Sequence, residues 1–366
     1  MPRWKTPGWA KRVAYWAVAI VALIFVARAV PIRDACIDPD AAPGAARVTV
    51  SREGTTCVLH RSDGDVALPP LRCAKLSCEP GLRTTFMTAN VGLVALFETI
   101  AFLGTLAWAW RWRALVDLAK IKVPLLEVWR VTLEGMAAGL ILPGGIGGDA
   151  VRIGAMVGRG APTATMVASV LLDRASGLVS IALLASLLSF FYGHSEGAVS
   201  AISLGAIPLG YAAVLLVLRV PALARMKLLE TGVLSRTIKP ILVYLGDEGA
   251  PRAILRSLAR AALTSALQLV VVRGMVYALG VAPTEERWIY IGYVLSLLVF
   301  ALPSTPGAWG TGDAAFVVFF GRAGIPPATA LALGLLIRLN AYVSGAVGAV
   351  LFMRRSGRAA APHIRP

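Results

Sequence analysis

The chain has 366 residues, of which 57% are hydrophobic and 15% are charged, and its mean hydropathy is +0.72. Because soluble domains carry about 25% charged residues, this composition excludes an ordinary water-soluble protein. The formal net charge of +16 could indicate nucleic-acid binding. However, the basic residues cluster beside the ends of apolar runs, as in the positive-inside pattern, and no nucleic-acid-binding motif accompanies them. We therefore expect a protein whose partner is the bilayer and not a nucleic acid.

Seven apolar runs predict an all-α polytopic membrane protein with about seven spanning helices, since about 20 apolar residues cross the hydrocarbon core. The runs are Val13–Val30, Thr88–Trp110, Thr163–Tyr192, Val199–Leu218, Ala261–Gly280, Ile289–Leu302 and Ala328–Met353. Residues 1–30 are interpreted as a cytoplasmic N-terminus with a signal anchor, because Arg28-Ala29-Val30-Pro31 is a poor cleavage site. The tail 355–366 is also placed in the cytoplasm. We expect a multi-pass protein of the bacterial cytoplasmic (inner) membrane.

Residues 31–86, between the first two runs, form a small insert that contains every cysteine of the chain: Cys36, Cys57, Cys73 and Cys78. If the N-terminus is cytoplasmic, the insert is exoplasmic, and four cysteines there indicate two disulfides of open connectivity. The alternating run Arg47–Ser51 and the turn-like Glu53-Gly54 predict small β-hairpins. A zinc site is the alternative, but paired CxxC motifs are absent, so we expect no metal.

The membrane domain, residues 87–354, contains an internal repeat. When the sequence is aligned with itself at a shift of 164 positions, identical Gly, Asp, Pro and Arg residues coincide. Chance does not explain such coincidences in apolar helices. The main coincidences are Gly148-Asp149-Ala150 with Gly312-Asp313-Ala314, Gly160 with Gly324, Pro162 with Pro326, and Arg174 with Arg338. The repeated elements span residues 124–192 and 288–353.

Each copy predicts a re-entrant hairpin followed by a long helix. In the first copy a helix-like stretch ends at Pro143 and a glycine-rich tip, and the segment Ala150–Val157 that follows is too short to cross the bilayer. Asp149 is expected to be the N-cap of that segment. The second copy repeats this pattern, with Ala314–Phe320 as its short segment.

Assigning each connection in chain order to one side of the membrane places the two copies in opposite orientations. The count depends on a cytoplasmic arm at residues 219–260, in which Ala222–Leu229 and Ile254–Leu263 are predicted to be short amphipathic helices. Inverted repeats with broken helices are an architecture of transporters. One miscounted span would make the repeat parallel, and that alternative stays open.

Ionisable residues inside the predicted spans usually face a bundle interior or a cavity. We predict a polar cavity between the repeats, lined by Arg174 and Arg338, because arginine forks and glycine-rich helix ends suit phosphate. The candidate substrate-binding or translocation residues are Arg174, Arg338, Asp173, Arg152, Asp149, Asp313, Glu134, Gly148, Gly312 and Asn340. The substrate implied is an amphiphile with an anionic headgroup.

Alternative readings apply to several of these charges. Asp149 and Asp313 are interpreted first as helix caps, while Arg174 and Arg338 could instead lock the hairpins by pairing with buried carboxylates. Glu98 and Glu134 could be proton carriers or counter-ions. Arg273 could be a snorkelling or a paired residue.

The run Leu142–Arg152, followed by Val170–Arg174 and later by Leu302–Gly307 with Gly312-Asp313-Ala314, resembles the lysylphosphatidylglycerol synthase transmembrane-region family. The resemblance covers roughly Asn90 to Met353, and it implies a flippase-like domain that moves lipids between leaflets. Asp173 and Asp313 stand where the family often has Glu. The chain ends about a dozen residues past its last predicted span, so we expect no aminoacyl-transferase domain, no lysyl transfer and no cofactor.

The leading hypothesis is a transporter or flippase, not an enzyme, for an anionic phospholipid or a lipid-linked intermediate. The first alternative is a membrane-embedded enzyme acting on polyprenyl phosphate or lipid headgroups, although no DxD motif is present and all three histidines lie outside the spans. The second is a scaffold for envelope-synthesis proteins that dock on the insert. Homo-oligomer formation is left open.

Overall fold

The computed structural model describes residues 8–37, 48–53, 56–61, 64–69, 77–141, 146–192, 209, 212, 242–301 and 308–360. Several predicted features lie outside these residues: most of the span Val199–Leu218, both hairpin tips (142–145 and 302–307), the helix Ala222–Leu229, Cys73 and the end of the C-terminal tail.

The described chain is mostly helical. Its helices are α1 (Gly8–Ala29), α2 (Leu82–Thr88), α3 (Val91–Val116), α4 (Leu125–Ile141), α5 (Ile146–Val157), α6 (Thr163–Tyr192), α7 (Ala250–Ala278), α8 (Arg287–Ala301), α9 (Thr311–Gly321) and α10 (Pro327–Ala360), with a 3-10 turn at Asp117–Ala119. Within the described residues four segments are long and apolar enough to cross a membrane: Val91–Ala119, Thr163–Leu188, Ala250–Ala278 and Pro327–Arg355. The chain is therefore a membrane protein, and the count of seven spans stays a prediction.

The insert between α1 and α2 is a five-stranded antiparallel sheet. Its strands are β1 (Asp34–Ile37), β2 (Val48–Glu53), β3 (Thr56–Arg61), β4 (Gly64–Leu68) and β5 (Ser77–Glu79), in the order β4-β3-β2-β1-β5. The hairpins β2–β3 and β3–β4 confirm the hairpins predicted from the alternating pattern. A small core of Cys36, Val50, Cys57 and Leu68 lies on one face.

A disulfide joins Cys36 and Cys78, which are directly opposite each other on β1 and β5. This confirms a disulfide in the insert, and Cys57 is disulfide-bonded as well. At the base of the sheet the Leu82 N–H donates to the Pro31 carbonyl at 2.9 Å, and the Gly81 N–H donates to Asp34 Oδ1 at 2.9 Å. The first and the last residues of the insert therefore lie next to each other.

The described residues divide into two compact units. One contains Met1–Phe97, Val272–Phe300 and Ala308–Ile337, and the other contains Glu98–Val271, Ala301–Gly307 and Arg338–Pro366. In the first unit α1 packs against α9 and the start of α10 through Val26, Val30, Val317 and Leu331. In the second unit the C-terminal end of α3 and the first part of α6 pack with α4, α5 and the start of α7.

The start of α7 differs from the sequence prediction. Ile254–Leu263 is not a short amphipathic helix in a connecting arm but part of a helix that begins at Ala250. Pro251 lies in the first turn, where its missing N–H removes no intrahelical bond. Ala250, Ala253 and Ile254 are buried. The exposed Arg252 and Arg256 occupy other faces of the same helix.

The helices α5 and α9, which are the short segments of the two predicted hairpins, end in the same way. After α5 the Ala161 N–H donates to the Met156 carbonyl at 3.2 Å, and Gly160 has φ +91°. After α9 the Ile325 N–H donates to the Phe320 carbonyl at 3.3 Å, and Gly324 has φ +75°. Both are Schellman motifs, in which the left-handed residue ends the helix. The same local structure thus recurs 164 residues on, while the inverted orientation of the copies stays a prediction.

Candidate functional site

Asp173 on α6 is the centre of a buried ionic network. Its side chain is fully buried and accepts three hydrogen bonds: from Arg111 Nε at 2.8 Å, from Arg152 Nη2 at 3.0 Å and from Trp108 Nε1 at 3.1 Å. The donors lie on α3 and α5, so the carboxylate joins three helices. A buried carboxylate is tolerated only when its oxygens are satisfied in this way.

Two tryptophans on α3 cover the guanidinium groups of this network. The Arg152 guanidinium carbon lies 4.0 Å from the centre of the Trp112 ring, and that of Arg111 lies 5.8 Å from the centre of the Trp108 ring. Trp112 is held by a hydrogen bond from its Nε1 to Ser169 Oγ at 3.2 Å. Cation–π attraction is stronger in a desolvated site than in water, so the indoles help to stabilise both cations.

Glycines on the facing helices make room for the same groups. A Cβ at Gly177, one turn beyond Asp173 on α6, would lie 2.8 Å from Arg111 Nη1. A Cβ at Gly135 on α4 would lie 2.9 Å from the carbonyl oxygen of Gly148 and 3.1 Å from Arg152 Cγ. Gly148 therefore allows α4 and α5 to approach closely, and Arg152 lies beside this contact.

Asp149 and Arg174 continue the network outward. Arg174 Nε lies 2.8 Å from Asp149 Oδ2, and Arg152 Nη1 lies 3.8 Å from Asp149 Oδ1. The Arg174 side chain is 41% exposed, whereas Asp173 is not exposed at all. The network contains three arginines and two aspartates and therefore an excess of one positive charge.

Asp149 is not the N-cap that the sequence predicted. The helix begins at Ile146, so Asp149 lies inside its first turn and binds two arginines. Asp313 differs, because its Oδ2 accepts the Gly310 N–H at 2.9 Å across the start of α9. The capping interpretation is thus confirmed for Asp313 and wrong for Asp149. Gly312 is buried, and a Cβ there would lie 2.7 Å from the Phe300 ring.

Glu134 belongs to a second ionic network that shares no described residue with the first. Its side chain, 1% exposed, lies 3.0 Å from Arg130 Nε and 3.4 Å from Arg355 Nη1. Arg130 also donates to the Leu351 carbonyl at 3.0 Å. This network ties α4 to the end of α10 and confirms the counter-ion reading of Glu134.

Three other candidates have separate surroundings. Asn340 Nδ2 donates to the backbone carbonyl of Glu98 at 3.0 Å. Arg338 is buried, and Arg273 is paired with Glu286, as one of its two readings predicted. The cavity lined by Arg174 and Arg338 stays a prediction.

Sequence reasoning missed Arg111 and Trp108. Arg111 directly follows the predicted span Thr88–Trp110, where the positive-inside pattern explains a basic residue, but α3 continues to Val116 and Arg111 is buried. The apolar residues Ala114-Leu115-Val116 after it were the signal that the helix continues. The i, i+3 spacing of Trp108 and Arg111 places both on one face.

The second copy has Asp313 and Arg338 at the positions of Asp149 and Arg174, but it lacks the other charges of this network. The positions 164 residues beyond Arg111, Arg152 and Asp173 are Met275, Phe316 and Ile337. Met275 and Phe316 are each 1% exposed. Apolar residues often replace buried ion networks without loss of stability. The charges of the first copy are therefore not a requirement of the repeated element.

The described part of the chain contains no group of three or more His, Cys, Asp or Glu side chains placed to hold a metal ion. The family model described as lysylphosphatidylglycerol synthase TM region matches residues 81–348, from the end of the insert to α10. Comparisons with curated proteins and with solved structures gave no match.

Proposed function

Since the chain belongs to the lysylphosphatidylglycerol synthase transmembrane-region family, we propose that it is a lipid transporter of the flippase type. Its substrate is an anionic phospholipid or a lipid-linked anionic intermediate, which it moves between leaflets without a chemical step. The observation that carries this proposal is the half-exposed Arg174–Asp149 pair at the outer end of a buried network with excess positive charge.

Arg174 is suited to exchange one anion for another. Its guanidinium is bound to a carboxylate at 2.8 Å and remains 41% exposed, so a phosphate can approach it. A phosphate accepts two parallel hydrogen bonds from a guanidinium and can take the place of Asp149. Arg152 stays bound to Asp173 during the exchange and holds Asp149 nearby, so the pair can form again when the lipid leaves.

The position of Arg174 along α6 supports passage of a headgroup. Arg174 is the twelfth residue of a helix long enough to span the membrane, which corresponds to a rise of about 17 Å at 1.5 Å per residue. An ionisable group at that depth is costly unless it serves a site. Arg338 is likewise the twelfth residue of α10, which supports a path that passes both arginines.

The test is lipid movement by the purified protein in liposomes. Fluorescent phosphatidylglycerol is distributed in both leaflets, and a membrane-impermeant reductant quenches only the outer one. We expect the wild-type protein to expose the inner pool, and we expect Arg174→Gln and Arg338→Gln to slow this about tenfold or more, the effect of losing one charge-assisted contact.

Arg113→Gln is the matched control, because Arg113 lies 3.9 Å from Asp117 and is 38% exposed at the end of α3. It should leave the rate unchanged. Labelled phosphatidylcholine tests selectivity for an anionic headgroup. Wild-type rates in both arginine variants would contradict the site.

The same liposome assay distinguishes the transporter from the two alternatives, an enzyme and a scaffold. Chromatography of the lipids after the assay detects headgroup turnover, which would favour an enzyme. A variant that lacks residues 31–85, transports lipid normally and fails to complement in cells would favour a scaffold.

A further inference from the structure

Two carboxylates in the membrane domain, Glu98 and Glu134, could each carry a proton or neutralise a cation. Glu134 has two arginine partners, Arg130 and Arg355. Both guanidinium groups lie within ion-pair distance of its carboxylate, so Glu134 is a counter-ion to two arginines. Glu98, on α3, has entirely different surroundings.

Glu98 has no basic partner among the described residues. Its Oε1 is buried without a hydrogen-bond partner, and the only described side chain that acts on its carboxyl group is Asn340. Within the part of the chain that the structure describes, Glu98 is hydrogen-bonded from another element by the Asn340 amide on α10, which contacts its side chain and also donates to its backbone carbonyl.

The other ionisable groups on the neighbouring elements are occupied or do not pair with Glu98. Arg111, thirteen residues further along α3, is bound to Asp173, and Arg273 on α7 is bound to Glu286. Arg338 and Tyr342 lie two residues to either side of Asn340 on α10, and each has an interaction of its own.

An ionised carboxylate without a cation is costly in lipid. Binding a proton removes this cost. An amide has both donor and acceptor atoms, so Asn340 can bond the charged and the neutral carboxyl alike.

Building on the transport function proposed above, we propose that Glu98 is a proton-binding site and that its protonation and deprotonation couple lipid movement to a transmembrane pH gradient. The ligand of this site is the proton itself. Asn340 is a positioning residue that keeps the carboxyl in place in both states.

The first test observes the proton directly, whether or not lipid moves. Infrared difference spectra of the purified protein between acidic and alkaline pH should contain a C=O band of a buried protonated carboxyl. Glu98→Gln should remove this band, Glu98→Asp should restore a shifted one, and Glu285→Gln should keep it, because Glu285 is 51% exposed. A band that persists unchanged in Glu98→Gln overturns the site.

The second test measures coupling in the liposome assay with and without a pH gradient. We expect the wild-type rate to change severalfold with the gradient, and the Glu98→Gln rate to stay constant while lipid still moves. An equal gradient response in both proteins overturns the coupling. If the wild-type protein moves no lipid at all, the transport function and its coupling both fail, and the infrared band still decides whether Glu98 binds a proton.

Discussion

At the scale of single residues, Asp173 shows how much one carboxylate can organise. It neutralises Arg111 and Arg152 at once, and it also fixes the Trp108 indole between them. Three helices converge on a group with no exposed surface. The partly exposed Arg174–Asp149 pair is held in place from behind by this group, through Arg152.

We predict that Asp173→Asn destabilises the protein strongly. Removing the charge leaves two buried guanidinium groups without their anion, and breaking a buried network costs about 3–5 kcal/mol. The measurement is the unfolding midpoint of the detergent-solubilised protein. Asp117→Asn is the control: its pair with Arg113 is half-exposed and such pairs contribute about 0–1 kcal/mol. Equal midpoints for the two variants would contradict the structural role of the network.

The site was predictable from the sequence only in part. Asp149, Arg152, Asp173 and Arg174 were recognisable because each is an ionisable residue in a predicted apolar or glycine-rich element. Arg111 was not, because a basic residue near the end of an apolar run has an ordinary explanation in the positive-inside rule. Only tertiary packing, which a linear pattern does not contain, separates a buried arginine from a flanking one.

At the scale of elements, the two Schellman motifs have unequal tolerance for a side chain. Both Gly160 and Gly324 are left-handed, and an alanine there costs about 1–2 kcal/mol. A Cβ at Gly160 would meet nothing within 4 Å, whereas one at Gly324 would overlap the Thr284 side chain. Overpacking adds about 1–3 kcal/mol.

We therefore predict that Gly324→Ala lowers the unfolding midpoint more than Gly160→Ala does. Thermal unfolding in one detergent measures both. Gly154→Ala is the control within α5, because its Cβ has open space and alanine is the better helix former by about 0.5–1 kcal/mol. A Gly160→Ala variant less stable than Gly324→Ala would show that the overlap with Thr284 is relieved without cost.

The elements themselves followed from short-range signals wherever such signals exist. The apolar runs Thr163–Tyr192 and Ala328–Met353 predicted the two long helices, and α6 and α10 start at Thr163 and Pro327. The start of α7 was missed because Arg252 and Arg256 resemble residues of a loop. Burial of Ala253 and Ile254, which lie between these arginines, against α3 and α6 decided the structure.

At the scale of the whole molecule, the inverted repeat is a prediction about sides of the membrane. Gly158 and Arg322 occupy equivalent positions in the turns after α5 and α9. We expect Gly158→Cys to react with an impermeant maleimide from the cytoplasmic side and Arg322→Cys from the opposite side. No described cysteine is free, so background labelling is low. Labelling of both from one side would establish a parallel repeat.

Orientation is the feature that local patterns determine least. Each helix follows from its own residues, but the side on which it ends depends on every span before it. The prediction therefore rests on Val199–Leu218, which lies largely outside the described residues. A membrane domain with several spans was predictable from the length of the apolar runs alone. Whether the two copies are inverted or parallel requires the labelling experiment.

The disulfide at the base of the insert also makes this part of the chain a covalent ring. Cys36 and Cys78 are 42 positions apart in sequence, so one peptide-bond cut between them produces two polypeptides that stay joined. Under non-reducing conditions the nicked protein keeps α1 attached to all later helices. Reduction releases α1 as a separate fragment. Proteolytic cleavage of the insert is thus not detected until the disulfide is reduced.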